Sequence, residues 1–162
     1  MGKAFYHKLH LSTATDTQDF AIALAARLKP GDTILLEGQI GAGKTHFARA
    51  FIQSLLAAHG LMEDVPSPTF TIVQTYEAGG VEVWHADLYR LTHPDEVEEL
   101  GLVDAFTSAI CLVEWPDRLG ELLPADALKI SFSPHPEKGE DYREANLTST
   151  DPKWFEALRG LL

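Results

Sequence analysis

The stretch Gly38-Gln39-Ile40-Gly41-Ala42-Gly43-Lys44-Thr45 constrains this chain more than any other. It fits the phosphate-binding pattern G-x-x-x-x-G-K-[ST], which has meaning only between a strand and a helix. Both neighbours are present. Thr33-Ile34-Leu35-Leu36 reads as a strand before it, and Phe47 to Leu56 reads as a helix after it. Gly38, Gly41 and Gly43 allow sharp backbone turns that bring N–H groups against phosphate oxygens. A helix beginning near Lys44 points its positive dipole end at the same anion. Lys44 is then placed to reach the β- and γ-phosphates, and the Thr45 hydroxyl to hold Mg2+. The expectation is a nucleoside triphosphate bound with Mg2+.

The 162 residues predict one domain, spanning 1–162. No apolar run approaches the ~18 residues of a membrane span, and Met1 to His10 lacks the apolar stretch of a signal peptide. The one cysteine, Cys111, sits in an apolar run, which predicts a buried thiol in a reducing, cytoplasmic setting. The net charge of −11 comes from 24 acidic against 13 basic residues without a basic cluster. Non-specific nucleic-acid affinity needs clustered Lys and Arg, so a protein partner suits this surface better.

Around the loop, Phe5–Leu11 reads as a strand, and Thr15 with Gln18 matches a capping box for a helix carrying Phe20, Leu24 and Leu28. Pro30-Gly31 is the expected stop. Pro66 and Pro68 hold their segment extended. Thr71–Tyr76 and Val81–Ala86 read as strands of a hairpin turning through Glu77-Ala78-Gly79-Gly80, which implies a mixed sheet. An acidic helix start at His93–Leu100 carries Pro94 in its first turn. Ala109–Val113 reads as a buried strand ending in Glu114, with a short helix opening after Trp115-Pro116. Ala127–Ser133 and Tyr142–Thr148 read as strands, and a last helix follows Asp151-Pro152. The fold class expected is α/β, a P-loop NTPase-like three-layer fold.

A phosphate loop needs a carboxylate at the end of a neighbouring strand to complete the Mg2+ shell. Asp87 and Glu114 both qualify, and two carboxylates suggest divided labour: one holds the metal, the other orients or deprotonates water. Thr69, in Ser67-Pro68-Thr69, reads either as a γ-phosphate-sensing switch or as part of a proline-rich connection. His85 lies two residues before Asp87, on the same strand face, and either supports that carboxylate or packs. His46 follows Thr45 with no evident chemistry of its own. No spacing suits a histidine metal site or a covalent nucleophile.

Four stretches occur together and in order: Gly38 to Thr45, Pro66-Ser67-Pro68-Thr69-Phe70-Thr71, His85-Ala86-Asp87-Leu88-Tyr89-Arg90 and Leu112-Val113-Glu114-Trp115-Pro116. In combination they resemble the bacterial TsaE, or YjeE-type, family, from about Thr13 to about Arg143. The resemblance implies a cytoplasmic ATPase needed to form threonylcarbamoyladenosine beside the anticodon of tRNAs that read codons beginning with A. It implies ATP and Mg2+ as ligands, the TsaB–TsaD pair as partners, and contact with tRNA only through them. By position it implies Thr45 and Glu114 as Mg2+ ligands, Asp87 as the catalytic carboxylate assisted by Lys44 and Glu114, and Gly41, Ala42, Gly43, Lys44 and Thr45 as the phosphate cradle. Thr15 matches a position near the base, Arg143 a basic residue approaching the nucleotide, and Trp115 a tryptophan beside the site. His46 departs from the usual Thr or Ser, whose hydroxyl reaches an α-phosphate.

Two other classes compete. A P-loop small-metabolite kinase would need a second substrate pocket and an arginine-bearing lid, for which the chain has few arginines. A nucleotide-gated binding module would need no hydrolysis, and Asp87 would then be dispensable.

Overall fold

A computed structural model describes residues 4–162; Met1–Lys3, with which the expected domain and the stretch read for a signal peptide begin, lie outside the described residues. Among those described, β1 (Phe5–Leu11), β2 (Thr33–Glu37), β3 (Val73–Ala78), β4 (Val81–Asp87), β5 (Ile110–Glu114), β6 (Leu128–Pro134) and β7 (Arg143–Ser149) form one sheet. Their order across it is β1-β7-β6-β2-β5-β4-β3. The inner strands β6, β2, β5 and β4 are parallel. The β3–β4 hairpin closes one edge, and antiparallel β7 and β1 close the other.

The helices are α1 (Ala14–Ala25), α2 (Lys44–Ala57), α3 (Asp95–Glu99), α4 (Leu102–Ser108) and α5 (Lys153–Ala157). Strand alternation sorts them into layers. Ile34 and Leu36 of β2, with Ile110 and Leu112 of β5, pack with Phe20, Leu24, Phe47, Phe51 and Trp154 of α1, α2 and α5. The intervening Leu35, Cys111 and Val113 pack on the other face with Val97, Leu102 and Phe106 of α3 and α4. The expected α/β class with a mixed sheet and an antiparallel hairpin is what forms. Phe47 anchors α2: its ring lies 5.7 Å from Phe20, 6.2 Å from Phe51 and 5.6 Å from Phe132.

Several local expectations are corrected. The N-cap of α1 is Thr13, not Thr15: Thr13 Oγ1 accepts from the Asp16 amide at 3.0 Å and the Thr13 amide donates to Asp16 Oδ2 at 3.2 Å. Thr13 is extended, with only Ser12 between it and the end of β1, so the chain enters the helix two residues sooner and closes the same reciprocal box with Asp in place of Gln. The helix also stops at Ala25, ahead of Pro30-Gly31. The hairpin turn is only Gly79-Gly80, because pairing continues to Ala78 and Val81. Helix α4 was not anticipated; Gly101, in the left-handed region at φ 81°, separates it from α3 in the acidic segment.

Candidate active site

The parallel register levels the carboxyl ends of three strands. Leu36 pairs with Glu114, and Asp87 pairs with Glu114. Loops leaving that edge of an open α/β sheet form its ligand crevice. The loop after β2 runs from Gly38 to α2 under tight steric rules. A Cβ at Gly38 would lie 2.8 Å from the Phe132 carbonyl oxygen, and Gly43, the N-cap of α2, has φ 104°. Both positions disfavour any side chain.

A cleft of about 530 Å³ opens over this edge, lined by Gly41 to His46, Thr69, Asp87, Glu114, Trp115 and Arg143, together with Ala14, Thr17, Ile40, Tyr89 and Asp141. Lys44 is 5% exposed. Its ammonium donates to the Gly38 and Gln39 carbonyls and lies 3.9 Å from the Trp115 ring centre. Burial pushes the Lys44 ammonium below its usual range, while the charges of Glu114 and Asp87 pull the other way.

Two sub-clusters divide the carboxylates. Thr45 Oγ1 donates to Glu114, lying 2.9 Å from Oε1 and 3.2 Å from Oε2. Thr69 Oγ1 donates to Asp87 Oδ2 at 3.3 Å and shares a 2.7 Å hydrogen bond with Ser67 Oγ. The Tyr89 amide donates to Asp87 Oδ1 at 3.0 Å. His85 does not support Asp87, the alternative its spacing suggested. Its Nε2 lies 2.7 Å from Glu114 Oε2, because Glu114 on the neighbouring strand comes within reach of the ring.

Arg143 braces the loop from β7. Its Nε donates to the Ala42 carbonyl at 2.8 Å and its Nη2 to the Gly41 carbonyl at 3.2 Å. Its Nη1 donates to the Glu140 and Tyr142 carbonyls. His46 Nε2 lies 3.2 Å from the Ala14 carbonyl, which only accepts, so the ring donates and ties the start of α2 to the start of α1. Arg90 lies over the Phe70 ring, 5.6 Å from its centre.

Backbone strain concentrates here. Among the described residues, the non-glycine positions with positive φ are Ile72 (70°) and Trp115 (60°). A β-branched or bulky residue in that region is a genuine outlier. Trp115 directly follows Glu114, and the Ile72 carbonyl accepts from the Asp87 amide at 2.8 Å.

Of the residues expected from sequence, Gly41, Ala42, Gly43, Lys44, Thr45, His46, Thr69, Asp87, Glu114, Trp115 and Arg143 share this cleft. Thr15 is not among its lining residues; Ala14 and Thr17 of the same helix are. Tyr89, whose ring centre lies 4.8 Å from that of Trp115, and Asp141 were missed. Tyr89 was detectable two positions after Asp87; nothing local marked Asp141.

The oxygen donors suit Mg2+. Thr45 offers a hydroxyl and Glu114 a carboxylate, both hard ligands already within bonding reach of one another. No group of three or more His, Cys, Asp or Glu among the described residues is arranged to hold a metal ion. Mg2+ characteristically takes one or two protein ligands and completes its shell with phosphates and water, and Thr45 and Glu114 are two protein groups that could serve it.

Residues 11–144 match the family model described as Threonylcarbamoyl adenosine biosynthesis protein TsaE. The chain is 37% identical over 139 residues to the tRNA threonylcarbamoyladenosine biosynthesis protein TsaE of Rickettsia bellii, covering 86% of this chain and 92% of that one. It is 39% identical over 140 residues to the protein of the same description from Bacillus subtilis, covering 86% and 83%. The fold is similar to the crystal structure of YdiB from Bacillus subtilis, with a TM-score of 0.76, 30% identity, and coverage of 99% of this chain and 97% of that one.

Proposed function

The chain belongs to the TsaE family, and on that premise we propose that it is a Mg2+-dependent ATP hydrolase serving tRNA modification. Its hydrolysis sustains the TsaB–TsaD complex in forming threonylcarbamoyladenosine beside the anticodon of tRNAs reading codons that begin with A. The observation that carries this reading is the Thr45 hydroxyl lying against both oxygens of Glu114 at the mouth of the glycine-rich loop.

Each residue has a distinct task. The loop amides and the dipole of α2 bind phosphate oxygens, and the Lys44 ammonium, which in the free protein donates to the Gly38 and Gln39 carbonyls, would turn to the phosphates. Thr45 and Glu114 would hold Mg2+, whose charge would offset that of the phosphates. Asp87 orients the attacking water and accepts its hydrogen. Thr69, held by Ser67 and Asp87, would respond to a γ-phosphate in this reading.

Turnover by the chain alone is slow in this reading. The guanidinium of Arg143 is committed to loop carbonyls, and that of Arg90 lies over Phe70. A transition-state arginine is worth about 10³–10⁵ in rate, so a partner-supplied group or a partner-driven rearrangement accounts for activation. The charge of −11 directs tRNA to the partners rather than to this chain. A cytoplasmic location fits this role; no helix among the described residues is long and apolar enough to cross a membrane. The test is phosphate release with and without the TsaB–TsaD pair. Stimulation is expected, and equal rates would refute the coupling.

A further inference from the structure

Building on the Mg2+ site proposed above, we infer that His85 is a positioning residue for Glu114, presenting that carboxylate to the metal through Nε2. His85 pairs in register with Leu112, two residues short of Glu114, so its ring reaches diagonally across to the carboxylate. The two side chains are sealed from water, at 0% and 2% exposure. A carboxylate accepts only, so the ring carries its hydrogen on Nε2 and donates. Glu114 Oε2 is thereby held by an immobile ring at 2.7 Å, while Oε1 lies closer to the Thr45 hydroxyl.

Packing alone does not account for an imidazole here. Its Nδ1 is buried with no hydrogen-bond partner among the described residues. Burying an unpartnered polar atom is unfavourable, and an apolar side chain of similar volume would fill the same space without that cost. The contribution of the ring therefore lies in its bond to Glu114. Hydrogen bonds behind metal-ligating carboxylates set their orientation, and losing such a partner typically weakens metal binding or activity 10- to 100-fold.

The test is calorimetry of ADP binding to the full chain, in EDTA and across a Mg2+ series. It compares the unaltered protein with His85→Gln, which keeps a donor near the Nε2 position, and His85→Leu, which keeps bulk without a donor. The Mg2+ midpoint should rise about 10- to 100-fold in His85→Leu and less than about threefold in His85→Gln. ADP affinity in EDTA should stay within about twofold in all three proteins. An unchanged Mg2+ midpoint in His85→Leu overturns the inference, as does a loss in His85→Gln as large as in His85→Leu. Failure of the unaltered protein to bind ADP in either buffer overturns the nucleotide reading and this inference with it. If His85→Leu does not fold, the ring N–H signal of His85, assigned by its loss in His85→Gln, decides by NMR. It should shift when Mg2+ joins ADP, and an identical signal with and without Mg2+ overturns the assignment.

Discussion

Asp87 and Glu114 are register partners on adjacent parallel strands, yet they serve separate hydrogen-bond clusters. Glu114 joins Thr45 and His85, whereas Asp87 joins Thr69 and the Tyr89 amide. Replacing one should therefore not reproduce the loss of the other. Glu114→Ala should abolish both the tightening of ADP binding by Mg2+ and tRNA modification in a reconstituted system. Asp87→Asn should keep Mg2+–ADP binding and slow hydrolysis by about 10²–10⁴. Calorimetry paired with phosphate release separates the two, and similar defects in both variants would contradict the division.

Lys44→Met should lose nucleotide binding without losing stability. Burial penalises the Lys44 ammonium in the free protein, and Glu114 and Asp87 only partly offset this. A depressed lysine pKa means that the folded state holds the charge at a cost that disappears as pH rises towards the ordinary lysine value. The thermal midpoint of ligand-free Lys44→Met near pH 7 should accordingly match or exceed that of the unaltered chain. A drop of several degrees would show that the bonds to Gly38 and Gln39 outweigh the cost of burying the charge.

Arg143→Ala should weaken nucleotide binding through the loop. Removing the guanidinium frees the Gly41 and Ala42 carbonyls. Hydrogen bonds to charged groups contribute about 1.5–3 kcal/mol, so a loss of about tenfold or more in ADP affinity is expected. Titrating ADP against the variant checks this, and an affinity equal to that of the unaltered protein would remove Arg143 from the loop's support.

Cys111 gives a pH signature. Burial pushes its thiol up to about 12. In the unfolded chain the thiol ionises at its ordinary value, lower than in the fold, so the unfolded state there binds fewer protons. The thiol's stabilising contribution is complete below the unfolded value and is lost as pH rises towards 12. The slope is at most about 1.4 kcal/mol per pH unit. Urea unfolding of the unaltered chain and of Cys111→Ala across alkaline pH should show stability falling more steeply where the thiol is present.

Much of the site was legible in the sequence because its chemistry is tied to short local patterns. Gly38 to Thr45 needs a strand before it and a helix after it, and both are readable from apolar runs. Asp87 and Glu114 end such runs, which identified them without knowledge of strand order. What the chain could not disclose locally is pairing across strands. The bond from His85 to Glu114 depends on β4 lying beside β5, and the brace from Arg143 depends on the start of β7 reaching the phosphate loop. The cap of α1 was misplaced for a different reason. Thr13 with Asp16 and Thr15 with Gln18 offer the same capping geometry, and the extended backbone at Thr13 decided between them.

The position of β2 in the sheet bears on how the protein is made. Its neighbours are β5 and β6, and β1 pairs only with β7. As the chain leaves the ribosome, the strand that carries the loop has no partner until residues 110–134 have been synthesised. The β3–β4 hairpin alone can pair from nearby sequence before then. Distant pairings close late and slowly, so β2 stays without a strand partner while the residues between it and β5 are made. The loop acquires its surroundings late, when Glu114, β6 and finally Arg143 enclose residues made up to about a hundred positions earlier.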